Sequence, residues 1–304
     1  MPRCMLRGVS EAEVNAGKLD WRNVEIATRA LHRDGLVVLE DLIKYEKLDK
    51  LNRKMVEDAY VLQAMGDDGP FNYNKGNIQQ DPPLTKQWWE PSIFVNVLTH
   101  HCRIPDPIVT QVTSTTLGPN PRMSFISGNT ALGPSTDGDG DPPQAQPTHT
   151  DADFDHPSSP FALVVNVPLV TMTPANGSTE VWLGTHAGSD LSVQEGRHGE
   201  RASGRIREEL LRRRREERPP CQPVVPKGAV VVRDLRLFHF APWYRNPMLV
   251  EMANELKPTL SNERTGLQVQ GSFMPEEEVE KRYLNRPYGN AYDFSQQQPL
   301  EGIF

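Results

Sequence analysis

The chain has 304 residues, enough to bury a full hydrophobic core, and a single domain is expected. Its 40 Asp and Glu against 33 Lys and Arg give a net charge of -7, so there is no general basic surface for nucleic acid. Cys4, Cys102 and Cys221 lie far apart without a Cys-x-x-Cys, which argues against a disulfide framework or zinc knuckle; with an opening, Met1 to Gly8, that lacks a signal-peptide core, and no apolar run of membrane-spanning length, the expectation is a cytoplasmic protein in a reducing compartment.

Residues 11–33 carry Ile26, Ala27, Ala30 and Leu31 at helical spacing, closed by Asp34-Gly35, and read as one helix. Leu36 to Leu39 is β-like. Leu42 to Leu62 returns to helical spacing through Leu48, Leu51, Met55 and Ala59, all read as core positions. From Gly66 to Pro83 the chain is polar and turn-rich, with an unusual density of Asn and Gln. Two short apolar segments follow, Ile93 to Leu98 and Ile108 to Leu117, the second expected to be helical. His100 and His101 between them point in different directions from any regular backbone and read as surface residues.

Residues 132–148 hold too many Gly and Pro to pack as an element, and this loop leads directly into His149, so it is expected to form part of the mouth of a site. Phe161 to Val170 is a nearly unbroken apolar run; Asn166 and Pro168 within it suggest a buried strand near an edge or bend. Asn176-Gly177 is a turn into a strand starting at Ser178. Residues 206–218 include Arg212 to Arg215, but Glu208, Glu209, Glu216 and Glu217 offset them, so the segment reads as a solvated helix rather than a nucleic-acid patch. Lys227-Gly228 turns the chain into an apolar strand, Ala229 to Val232, expected to run on to His239. Beyond Pro258 the chain is polar and proline-interrupted, and Tyr283, Tyr288, Tyr292 and Phe294 suggest a tail lying over the body or over a partner chain.

The chemistry-bearing stretch is Gln146-Pro147-Thr148-His149-Thr150-Asp151. On an extended backbone His149 and Asp151 share a face and can grip one ion. His239, reached along the downstream strand, is the third ligand if a neighbouring strand brings it alongside. Two imidazoles and one carboxylate with positions left open suit non-haem Fe(II) better than structural zinc, which closes its shell with four ligands. With eight histidines in the chain an accidental His-x-Asp followed by a distant His is common, so the triad alone does not decide. Asp153 and His156 rank below it as spare ligands.

Five stretches taken together carry a family resemblance: Phe71 to Pro83, Ser127 to Leu132, the His149/Asp151 stretch, Asn176-Gly177-Ser178-Thr179-Glu180-Val181-Trp182-Leu183-Gly184-Thr185-His186, and Arg233-Asp234-Leu235-Arg236-Leu237-Phe238-His239. In this order they resemble the phytanoyl-CoA dioxygenase (PhyH) family, especially its fungal secondary-metabolism branch. The resemblance implies a mainly β fold with flanking α-helices, a double-stranded β-helix or jelly roll, with a core at about 26–256 and a C-terminal tail at 257–304. It also implies Fe(II) held by His149, Asp151 and His239, and 2-oxoglutarate as cosubstrate.

The distal carboxylate of that cosubstrate must meet a cation. In the family an arginine about ten residues after the distal histidine does so; here Leu249 and Val250 stand at that spacing. Arg245, six residues after His239, is the candidate in its place, and Arg236 is the other. Gln146 and Thr179 are candidates for hydrogen bonds to the cosubstrate, and Asn77, Gln79 or Gln80 for bordering the pocket. Trp182 walls the pocket or belongs to the core, and His186 is expected to bond backbone rather than metal. The function implied is oxidation of a C–H bond of a hydrophobic small molecule with O2, by hydroxylation, desaturation, epoxidation or rearrangement, in natural-product biosynthesis. The alternatives are an isomerase on the same fold without net oxidation, or a noncatalytic binding protein. A homodimer is the assembly the resemblance and the aromatic tail suggest.

Overall fold

The computed structural model describes residues 5–6, 8–72, 74–80, 107–119, 121–131, 145–196, 204–240 and 249–257. The segments that hold His100 and His101, the greater part of the loop before His149, Arg245 and the tail aromatics lie outside them. Two helices open the chain where one was expected. Helix α1 (Glu11–Ala16) starts at a capping box between Ser10 and Glu13 and stops at Gly17, whose φ of 61° is left-handed. Asp20 then caps α2 (Trp21–Asp34) by accepting from the backbone N–H groups of Arg22 and Asn23. The apolar spacing runs on through this break, because Gly17 and the second cap interrupt hydrogen bonding without interrupting hydrophobic content.

The remaining elements in order are β1 (Met5–Leu6), β2 (Leu36–Leu39), α3 (Tyr45–Gln63), β3 (Phe71–Asn72), β4 (Asn74–Gln80), α4 (Pro107–Leu117), β5 (Arg122–Ala131), β6 (Leu163–Pro168), β7 (Glu180–Val181), α5 (Glu208–Glu217), β8 (Val230–Asp234), β9 (His239–Phe240) and β10 (Leu249–Lys257). Eight strands form one sheet in the order β1-β2-β8-β6-β10-β5-β4-β3, antiparallel except for the β1/β2 pair. A second sheet pairs β7 with β9. The described fold is mainly β with helices at its side, and no described helix is long and apolar enough to cross a membrane.

Strand alternation divides the large sheet into two faces. Val37, Leu39, Leu163, Val165, Val167, Val230 and Val232 meet α2, α3 and α4 in the largest core cluster, with Ala27, Leu31, Leu48, Leu51, Met55 and Val109. The opposite face presents Leu36, Val38, Ala131 and Val231, which pack with Val181, Leu183, Met172 and Leu237 from the second sheet and its connections. Strand β6 is internal, between β8 and β10, rather than near an edge. Its Pro168 is the last residue of the strand, where the missing N–H interrupts no continuing ladder.

The expected continuous strand to His239 is in fact two. Strand β8 ends at Asp234, a turn closes with Leu237 N–H donating to Asp234 C=O, and His239 begins β9 in the other sheet. Arg236 drives this change of direction. It is buried, its backbone N–H and Nε both donate to Asp234 Oδ1, its Nη2 donates to Asp234 Oδ2, and Nη1 donates to the Ser158 carbonyl.

Candidate metal centre

His149 and His239 face each other as an isolated antiparallel bridge. Each backbone N–H donates to the other residue's carbonyl at 2.9 Å, and the ring centroids are 4.5 Å apart. Two residues on from His149, Asp151 sits in a bend rather than a regular strand, yet its Oδ1 lies 3.8 Å from His149 Nε2 and 3.6 Å from His239 Nε2. All three ligand atoms lie within 4.8 Å of one another. Donors about 2.1 Å from a shared ion and at right angles to each other stand roughly 3 Å apart. Small side-chain rotations close the difference.

The ring nitrogens are already sorted. His149 Nδ1 bonds the Pro147 carbonyl and His239 Nδ1 bonds the Leu237 carbonyl, each at 2.9 Å and each two residues back in the chain. A carbonyl only accepts, so Nδ1 carries the hydrogen and Nε2 carries the lone pair that can ligate an ion. Burial, reinforced by the Arg233 charge, pushes His239 down to about 3. Burial likewise lowers His149, against the pull of Asp151. Both imidazoles are therefore neutral at pH 7, the form that ligates. Asp151 keeps a third of its side chain exposed and stands at the rim. Enclosure works to raise its carboxyl, but the Arg233 guanidinium and the two imidazoles outweigh this and hold it well below the usual carboxylate range.

Arg233, within the Arg233 to His239 stretch, is the residue beside this centre to which the sequence assigns no role. It lies on the sheet face shared with Val231, donates from Nη2 to Asp151 Oδ2 at 2.6 Å and from Nε to Asn166 Oδ1 at 3.1 Å. The available signal was strand parity, which sets Arg233 opposite Val230 and Val232 and thus away from the helices. Because Arg233 holds Oδ2, Oδ1 is left to the imidazoles. Two neutral imidazole nitrogens and one carboxylate oxygen fit a divalent first-row ion with coordination positions to spare.

Other candidates fall into place around this centre. Gln146 is buried, and Thr179 is half-buried immediately before β7, whose Val181 pairs with His239. Among the three amide candidates, Asn77 and Gln79 alternate with Ile78, which packs on α3. Gln80 shares the helix side, donating to the Met55 carbonyl and accepting from Thr130. Trp182 is fully buried with Ile206, Leu211 and Phe238, so it is core. His186 bonds the His32 carbonyl through Nε2, as expected of a backbone-satisfying residue. His156 stacks on Phe161 and bonds the Pro157 carbonyl; neither it nor Asp153 belongs to the cluster of ligand atoms.

A family model described as phytanoyl-CoA dioxygenase (PhyH) matches residues 31–247. Among solved structures, the chain is similar to EctD from S. alaskensis with bound Fe, at 18% identity over 79% of this chain and 77% of that chain, with a TM-score of 0.52. It is similar to the epimerase SnoN in complex with Fe3+, alpha ketoglutarate and nogalamycin RO, at 14% identity over 84% of this chain and 98% of that chain, with a TM-score of 0.55. EctD from S. alaskensis with 2-oxoglutarate and 5-hydroxyectoine matches at 18% identity over 79% of this chain and 76% of that one, with a TM-score of 0.50. At these identities the likeness is one of fold.

Proposed function

The chain belongs to the phytanoyl-CoA dioxygenase (PhyH) family, and from that premise we propose that it is an Fe(II)- and 2-oxoglutarate-dependent oxygenase, built as a jelly roll, that oxidises a C–H bond of a hydrophobic small molecule in natural-product biosynthesis. The observation that carries this reading is the meeting of His149 Nε2, His239 Nε2 and Asp151 Oδ1. Three protein donors leave room on a six-coordinate ion for a bidentate 2-oxo acid and O2. When bound, iron with 2-oxoglutarate and O2 supplies the oxidising power to remove a hydrogen atom from an unactivated C–H, with succinate and CO2 released.

The protein's own share is positioning. The carbonyls of Pro147 and Leu237 fix the imidazole rings, and Arg233 fixes the carboxylate. Such preorganisation leaves substrate placement and water exclusion as the remaining tasks of the site. Gln146 and Thr179 are proposed to hydrogen-bond the cosubstrate, and Arg245, outside the described residues, is the sequence candidate for its distal carboxylate. The assembly proposed is a homodimer and the compartment the cytoplasm. The test is anaerobic titration with Fe(II) and then 2-oxoglutarate. A visible charge-transfer band is expected; iron binding with no band on adding 2-oxoglutarate would contradict the proposal.

A second reading, epimerisation without net oxidation of the product, is supported by the likeness to SnoN. Product mass separates the two, since hydroxylation or epoxidation adds one oxygen, desaturation removes two hydrogens and epimerisation leaves the mass unchanged.

A further inference from the structure

Three rings meet a short step along the chain from the metal ligands. Phe154 and Phe161 stand edge to face with centroids 5.8 Å apart, Phe154 and His156 do so at 6.1 Å, and His156 stacks on Phe161 at 5.1 Å. Phe161 in turn packs on Ala152, Ala162, Val164 and Leu235. Two of these tie the rings to the centre. Ala152 follows Asp151 directly, and Val164 is the cross-strand partner of Arg233, which holds the Asp151 carboxylate. Phe154 lies three residues beyond Asp151, so their Cα atoms are at most about 11 Å apart.

Neither Phe154 nor His156 is placed for stability alone. Phe154 is 42% exposed, whereas the other exposed large apolar side chains among the described residues stand on α2, on α3 or, as Val224, ahead of β8. His156 sets its Nδ1 on the Pro157 carbonyl, and its Nε2 is buried with no hydrogen-bond partner among the described residues. An apolar ring left in water beside a buried acceptor left unmet is a local cost of the kind native proteins keep at working surfaces. We propose that Phe154, braced by His156 and Phe161, selects the substrate: its ring packs against an aromatic ring of the molecule to be oxidised, at the rim where Asp151 is open to solvent. This deepens the oxygenase reading and rests on it, narrowing a hydrophobic substrate to an aromatic one. Aromatic rings gain from edge-to-face or offset packing beyond the area they bury, so a saturated ring of the same skeleton is held less well.

The test uses the full chain with 2-oxoglutarate and Mn(II), a paramagnetic ion of the same charge as Fe(II), and titrates two probes, 2-naphthol and its saturated counterpart decahydro-2-naphthol. Affinity is read from the Mn(II)-dependent proton relaxation of the probe, an effect that fades steeply with distance from the ion. Wild type should relax 2-naphthol and prefer it by roughly three- to tenfold; Phe154→Leu, which keeps apolar bulk without a ring, should bring the two probes to within about twofold. Mn(II) affinity, followed by the paramagnetic resonance signal of the free ion, should stay at its wild-type value, because Phe154 supplies no ligand atom. An unchanged preference in Phe154→Leu, equal affinity of wild type for both probes, or 2-naphthol bound without Mn(II)-dependent relaxation overturns the proposal. If wild type binds no Mn(II), the metal-centre reading itself fails and takes the proposal with it.

Discussion

At the centre, two imidazoles reach the same state by the same local device, a bond from Nδ1 to the carbonyl two residues back. The pairing of His149 with Asp151 was legible in the sequence because His-x-Asp states its own spacing. Arg233 was not, because nothing in a linear string gives the register that sets β8 against β6 and brings Asn166 and Asp151 to one guanidinium. His239→Ala should weaken Fe(II) binding by more than the roughly ten- to hundredfold typical of changes outside the ligand shell, measured by anaerobic dialysis; equal affinity would remove His239 from the ligand set. A separate residue, His186, is expected to contribute to acid sensitivity. Burial lowers His186, outweighing the Asp234 charge and the His32 carbonyl that work to raise it. A His with a depressed folded value contributes stability that is present above its unfolded value, near 6.5, and is lost as pH falls below it. Between pH 7.5 and 5.5 the metal-free wild type should therefore lose more Tm than His186→Gln, by about 2 °C. Parallel losses would mean that His186 is not charged on unfolding in that range.

The elements nearest the site are joined by tight turns, and these are where reading the sequence fell short. Apolar periodicity located α2, α3, α4 and β2, since each buries a regular stripe or face. It could not show that Asp234 and Arg236 fold back on each other and move His239 into a second sheet. Gly35 links α2 to β2 at a φ of 76°, and a Cβ there would come within 2.5 Å of His186 Nδ1 and 2.9 Å of Leu237 Cδ1. Backbone strain and overpacking add, so Gly35→Ala should destabilise by about 2–4 kcal/mol in urea unfolding. Because Leu237 precedes the ligand by two residues and supplies the carbonyl to its Nδ1, the same variant should also bind Fe(II) more weakly. Wild-type stability in Gly35→Ala would show that this junction has slack.

Across the whole molecule, the large sheet is divided in purpose. One face is buried against three helices, while the other carries Val38 and Val231 but also Asn166 and Arg233, the latter bonded to Asp151 of the candidate metal centre. Architecture of this kind was legible as a family resemblance before any coordinate, because five stretches in a fixed order are more specific than any one. The particular pairing that places β10 between β6 and β5 was not, since nothing in the residues of Leu249–Lys257 states which strands they will join. The proposed function depends on three side chains from distant parts of the chain sharing one ion. A crystal grown anaerobically with Fe(II), measured at the iron absorption edge, should give one anomalous peak within bonding distance of His149 Nε2, His239 Nε2 and Asp151 Oδ1. A peak held by other residues, or none at these three, would contradict the account.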